Sequence, residues 1–236
     1  AAVGVMVWFT LRGIPVETEA ERDSGWATAL AQLRGVIKLK VVWLQATVLV
    51  CAYSSYKAFD QYALFAVRGH GIDEIDAAQI VTAGAWTRPV AALALGLLGD
   101  RFGISRMAVV CFVLLIISHS LFAFTGQALG SLSMILLNTL VTGVAIFGLR
   151  GLYFGLLEEG QIPLAVTGTA VGLVSVIGYT PDVYVAAIAG YLIDQNPGLL
   201  GFQHLFVLLL AFSIVGALAA LAFTREATPS SVTSAH

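Results

Sequence analysis

The chain has 236 residues, of which 58% are hydrophobic and 11% charged, with a mean hydropathy of +0.90. A soluble domain carries about 25% charged residues, so a chain this apolar lacks the side chains to cover a water-facing surface, a need that a bilayer removes. The net charge of −2 gives no nucleic-acid footprint, and the two cysteines, Cys51 and Cys111, sit in apolar runs where they read as small buried hydrophobes; no metal-ligand spacing occurs and no cofactor is implied.

Residues 1–11 are apolar, lack an initiator Met and lack a basic flank. They are too short for a span of about 20 residues and read as the end of a truncated membrane helix, which makes the chain a fragment. Residues 12–40 form the one long polar connection. Its acidic part, 17–23, is expected in water, and Ser24 is placed to cap a following helix. Trp26, Leu30, Leu33 and Ile37 then recur at i, i+4, i+7 and i+11, the stripe of an amphipathic helix lying on a membrane surface.

Six apolar segments follow, at roughly 41–65, 76–98, 106–126, 131–157, 163–193 and 202–223. Backbone polar groups find no water in hydrocarbon, and the runs do not alternate, so helices are expected and strands are not. The fold class predicted is all-α, a polytopic six-helix bundle over 41–223 in a lipid bilayer. The Ser/Thr-rich tail 224–236 reads as disordered.

Connections fall on alternate sides. One side holds Arg12, Arg22, Arg34, Lys38, Lys40, Arg101, Arg106 and Arg225; the other holds only Arg68. Positive charge marks the cytoplasmic side, which places the C-terminus there and predicts a multi-pass protein of the cytoplasmic (inner) membrane.

The stretch Gly96-Leu97-Leu98-Gly99-Asp100-Arg101-Phe102-Gly103-Ile104-Ser105-Arg106 resembles the G-x-L-x-D-R-x-G-x-x-R loop of the major facilitator superfamily. Gly96, Leu98, Asp100, Arg101, Gly103 and Arg106 match, while Ile104 and Ser105 stand where the family usually has basic residues. The resemblance implies the C-terminal half of a twelve-helix transporter, helices 7–12 preceded by the end of helix 6, with an N-terminal six-helix half missing. It also implies that Gly96, Asp100, Arg101, Gly103 and Arg106 form a cytoplasmic gate. Glu158 and Glu159, at the same membrane face, are natural partners for Arg101 and Arg106.

Five charged residues lie deep in the spans: Lys57, Asp60, Arg88, Arg150 and Asp182. Each costs about 2.5–3.5 kcal/mol near the bilayer centre, so they are expected to face the protein interior or an aqueous cavity. Tyr53, Tyr56, Lys57 and Asp60 share one helix face. Tyr179 and Asp182 follow Gly168, Gly172 and Ser175 on another, which Pro181 should interrupt. Tyr153 accompanies Arg150. Depths estimated at about 1.5 Å per residue let Lys57 pair with Asp182 as well as with Asp60. Asp60 and Asp182 are candidates for a coupling proton or for an ion pair. His119 reads as a hydrogen-bonded interface histidine.

Three basic residues against two acidic ones favour an anionic solute, and arginine suits carboxylate, phosphate or sulfonate. Arg88 and Arg150 are the leading substrate-binding candidates, with Lys57, Tyr53, Tyr56, Tyr153 and Tyr179 around them. Within the superfamily, Arg88-Pro89 followed by a Gly-rich descent to Asp100-Arg101 is loosely similar to nitrate/nitrite and organic-anion porters, and an organic acid or sugar acid is the preferred cargo. Rival readings are a drug or metabolite efflux antiporter and a non-transporting receptor or scaffold. Catalysis is not expected: Ser118, His119 and Ser120 are sequence neighbours whose side chains diverge on a helix, and no G-x-S-x-G or H-E-x-x-H occurs.

Overall fold

A computed structural model describes residues 19–126 and 131–227. The expected helix end at 1–11 and the tail beyond Ala227 lie outside the described residues. Among those described there is no strand. This follows from the solvent, because in hydrocarbon a helix satisfies its own backbone where an open strand edge does not.

The elements in chain order are α1 (Glu19–Val36), α2 (Lys40–Ala58), α3 (Glu74–Phe102), α4 (Ile104–Phe124), α5 (Leu132–Leu152), the short α6 (Gly155–Glu159), α7 (Leu164–Gly178), α8 (Pro181–Gln195) and α9 (Leu199–Ala227). Helix α2 continues through a 3₁₀ turn at Phe59–Gln61, a helical turn at Tyr62–Leu64 and a π-helical turn at Phe65–Gly69. The segments 74–102, 104–124, 132–152, 164–195 and 199–227 are each long and apolar enough to cross a membrane. The segments 28–36 and 40–69 make a sixth only as a pair, bent by 78°. The chain is an all-α polytopic membrane bundle.

Several boundaries differ from those expected. Helix α1 begins at Glu19, so Ser24 lies inside it rather than capping it. Leu30 on this helix and Ile37 just past its end are exposed, consistent with a helix set across the bundle end. Gln32 ties it down, donating from Nε2 to Ala165 O at 3.3 Å and accepting from Thr169 Oγ1 at 3.1 Å. The expected span 131–157 stops at Leu152 and turns before α6. Helix α9 runs four residues into the expected tail. Pro181 does interrupt its span: α7 ends at Gly178, and Pro181 opens α8 at a first-turn position where its missing N–H is not needed.

Helices α3 and α5 approach most closely where side chains are smallest. A Cβ on Gly143 would lie 2.9 Å from the Gly84 carbonyl oxygen and 2.8 Å from Thr87 Oγ1. At the far end of the bundle Tyr62, Phe65, Phe122, Phe202 and Phe206 form one aromatic core. A polar seam runs beside it. Ser118 and Thr142 share a hydrogen bond, Asn138 Nδ2 donates to Ser118 O at 3.1 Å, and His119 Nδ1 meets Ser213 Oγ at 3.0 Å. His119 is therefore a hydrogen-bonded histidine between α4 and α9. By contrast α3, α7 and α8 are the least covered spans: Trp86, Val90, Val176 and Val183 are all exposed.

Candidate functional site

The π face of Phe147 on α5 carries the centre of the site. The Arg88 guanidinium carbon, from α3, lies 4.7 Å from the Phe147 ring centroid. Tyr56 on α2 meets Phe147 edge to face at 6.3 Å. The Arg150 guanidinium carbon, one helical turn beyond Phe147 on α5, lies 4.1 Å from the Tyr56 centroid and 5.8 Å from that of Tyr53. Two arginines from different helices are thus held on one aromatic cluster. A guanidinium stacks well on such rings because it is planar and weakly hydrated.

The cluster continues into an ion-pair group. Tyr53 meets Tyr56 in a tilted contact at 5.3 Å and Tyr179 edge to face at 4.8 Å. The Tyr53 hydroxyl donates to Asp182 Oδ2 at 2.9 Å. Asp182 Oδ1 lies 3.3 Å from Lys57 Nζ, which is also 3.6 Å from Asp60 Oδ2. Tyr53 and Lys57 belong to the regular part of α2, while Tyr179 and Asp182 flank the break before α8, so the broken span supplies both its ring and its carboxylate at one level.

The charges divide unequally. Lys57 is engaged by two carboxylates. Neither Arg88 nor Arg150 has a carboxylate within ion-pair distance among the described residues. Arg150 Nη1 is buried without a hydrogen-bond partner among the described residues, and the Tyr153 hydroxyl beside it in sequence is in the same condition. A buried donor left unsatisfied costs about 1–3 kcal/mol, more if charged, so both groups would gain from a further acceptor. Tyr153 is anchored by its backbone, whose carbonyl accepts from Gln45 Nε2 at 2.8 Å.

The expected gate residues fall elsewhere, at the bundle end where α3 meets α4. Gly103 has φ 97°, a conformation that favours glycine and lets the chain reverse between the two helices. Asp100, Arg101 and Arg106 are exposed, and Arg101 lies over the Phe102 ring at 5.5 Å. The expected pairing of Glu158 and Glu159 with Arg101 and Arg106 is absent among the described residues. Glu159 turns instead to α4, where Ser105 N donates to it at 2.7 Å and Ser105 Oγ at 2.6 Å. The reason is geometric: the first N–H groups of a helix have no intrahelical partner, and a carboxylate there meets the positive end of the helix. Glu158 is exposed. Gly96 has open space around it, whereas Gly99 packs against Leu152.

Sequence reasoning missed Phe147, which joins Arg88 to Tyr56. The available signal was its spacing of three from Arg150 on one helix face; its obscurity among 13 phenylalanines hid it.

No protein-family model matches the chain. It is similar to the inner membrane protein YihN of Escherichia coli (strain K12), 24% identical over 236 residues that cover 95% of this chain and 54% of the relative. It is also similar to the inner membrane protein YqcE of the same organism, 22% identical over 216 residues, covering 87% of this chain and 49% of the relative. The chain spans about half the length of the curated relatives it matches. Both relatives are inner membrane proteins, and the apolar helices here suit a multi-pass protein of that membrane.

Proposed function

We propose that the chain is the C-terminal half of a major facilitator superfamily secondary transporter that carries a small anionic organic solute across the cytoplasmic membrane by alternating access. The observation that supports this most is the pair of arginines, Arg88 and Arg150, set on one aromatic cluster with no carboxylate partner among the described residues. An anion entering between them gains two guanidinium groups already oriented by stacking, so little side-chain freedom is lost on binding. Tyr53, Tyr56, Tyr153 and Tyr179 supply rings and hydroxyls for an organic body.

Lys57, Asp60 and Asp182 form the second part of the reading. Protonation of Asp182 or Asp60 would loosen Lys57 and change the charge facing the solute, which gives a route to proton coupling. A further six-helix half of the full protein forms the opposite wall, against the poorly covered faces of α3, α7 and α8. The Lys/Arg distribution supports a cytoplasmic Gly103 end and, with it, a cytoplasmic C-terminus. The protein is not an enzyme on this reading.

Counterflow of a labelled organic acid into proteoliposomes of the full-length protein is the test. A panel of carboxylates, sugar acids and sulfonates should yield exchange that Arg88→Ala lowers roughly ten- to hundredfold. Absence of exchange with every anion, together with exchange of a lipophilic cation, supports the efflux alternative instead.

A further inference from the structure

Nearer the start of α2 than the ion pairs lies an apolar groove of about 420 Å³ between α2, α7 and α9. Trp43, Thr47, Val50, Ile177, Phe212 and Val215 line it. From Trp43 to Cys51 it extends about 12 Å along α2 at about 1.5 Å per residue, most of the roughly 15 Å depth of one leaflet's hydrocarbon. Nothing in the proposed transport cycle uses this groove.

Its head is cationic. Lys40 stands three residues before Trp43, at the start of the same helix stripe that continues to Thr47 and Val50. A second cavity of about 360 Å³ lies at that end of the bundle, lined by Lys38, Lys40, Gln161 and Glu226 among others. It is bounded by the start of α2, the approach to α7 and the end of α9, the same three helices that enclose the groove deeper down. Lys40 meets Glu226 only at 3.9 Å, with both side chains largely in the open. Lys38 has no ion pair among the described residues. Arg34 and Arg225 are exposed nearby in sequence. Trp43 is fixed between the two cavities, its indole N–H donating to Ile37 O at 2.7 Å. Tryptophans favour the membrane interface, which suits this residue to the headgroup end of the groove.

We infer that α2, α7 and α9 form a binding site for an anionic phospholipid, with one acyl chain in the Trp43–Val215 groove and the phosphate between Lys38 and Lys40. The charge complementarity selects the headgroup, and the groove selects a chain. A zwitterionic lipid fills the groove equally well, but its own headgroup cation offsets the phosphate charge that the two lysines favour. The site is separate from the arginine cluster, so its existence does not depend on the transport reading.

Native mass spectrometry of the purified full-length protein tests this, with titration by phosphatidylglycerol and by phosphatidylcholine of identical acyl chains. The first phosphatidylglycerol should bind about tenfold more tightly than the first phosphatidylcholine. The exposed double substitution Lys38→Gln/Lys40→Gln should erase that preference and leave phosphatidylcholine binding intact. Ala211→Trp, at an exposed groove position, should weaken both lipids. Glycerol 3-phosphate should compete at less than about a hundredth of the lipid's affinity, because it has no chain to bury. Equal affinity for the two lipids in the wild-type protein, or a preference that survives the double substitution, overturns the assignment. Competition by glycerol 3-phosphate as strong as that by the lipid also overturns it, in favour of a free-phosphate site.

Discussion

Lys57 Nζ lies 3.3 Å from Asp182 Oδ1, and each residue stands beside a break in its own helix. The regular part of α2 ends one residue after Lys57, at Ala58, and α8 begins one residue before Asp182, at Pro181. Charge and irregular backbone are therefore concentrated at one level of the bundle. Such a level is where a membrane protein tolerates both, because backbone groups freed from the helical ladder need polar company.

The two arginines should each contribute to solute binding. Arg88→Ala and Arg150→Ala each remove a charged donor from an anion, worth about 1.5–3 kcal/mol, or roughly ten- to hundredfold in solute affinity. Counterflow exchange at subsaturating solute should fall by that factor for each, with a smaller loss for Arg88→Lys. Unchanged exchange in Arg88→Ala removes the site assignment.

The Lys57 group should behave as a coupled unit. Lys57 retains 26% and Asp182 48% of their side-chain exposure, so the pair is worth no more than about 1 kcal/mol. Thermal unfolding of Lys57→Ala, Asp182→Asn and the double variant should show the double less destabilised than the sum of the singles. Strict additivity shows that the two side chains do not interact.

Glu159 should hold the start of α4. Its carboxylate satisfies both the backbone N–H and the hydroxyl of Ser105. Glu159→Ala should cost about 1–2 kcal/mol, the range of a lost helix cap, read as a lowered melting temperature. Glu158→Ala, at an exposed position, should leave the melting temperature in place. The opposite order places the capping role on the wrong glutamate.

Close packing of α3 on α5 should be intolerant of a single methyl group. Gly143→Ala sets a Cβ against backbone atoms of Gly84 that have nowhere to move, with an expected cost of about 1–3 kcal/mol. Gly35→Ala, in open space on α1, should be neutral or stabilising by up to about 1 kcal/mol. Denaturation of the two variants side by side checks the contrast.

His70, at the loop after Gly69, gives a pH signature. Burial holds its imidazole below the usual 6.5, because the charged form loses water there. The unfolded chain then binds more protons than the folded chain as pH falls through about 6.5, and stability declines in that direction down to the lowered folded value. His70→Gln should flatten the decline; an unchanged slope assigns it to other groups.

The sequence carried the fold well because bilayer physics leaves few choices. Apolar runs of sufficient length become helices, and Pro181 could be placed at a break from its backbone limits alone. The pairing of Lys57 with Asp60 and Asp182 was also legible, since depth along a span follows from residue count. Helix ends were less so: α1 started before Ser24 and α9 passed the expected tail boundary, because hydropathy does not mark where an exposed helical turn stops.

What the sequence determined by itself was the solvent, the helical class and the surplus of basic charge within the spans. What only the tertiary structure decided was which charges meet. It set Arg88 and Arg150 on rings rather than carboxylates, brought in Phe147 as their bridge, and gave Glu159 to Ser105 instead of an arginine. The reason is that depth is a one-dimensional quantity readable from the chain, while partner choice depends on helix rotation and crossing, which packing alone sets.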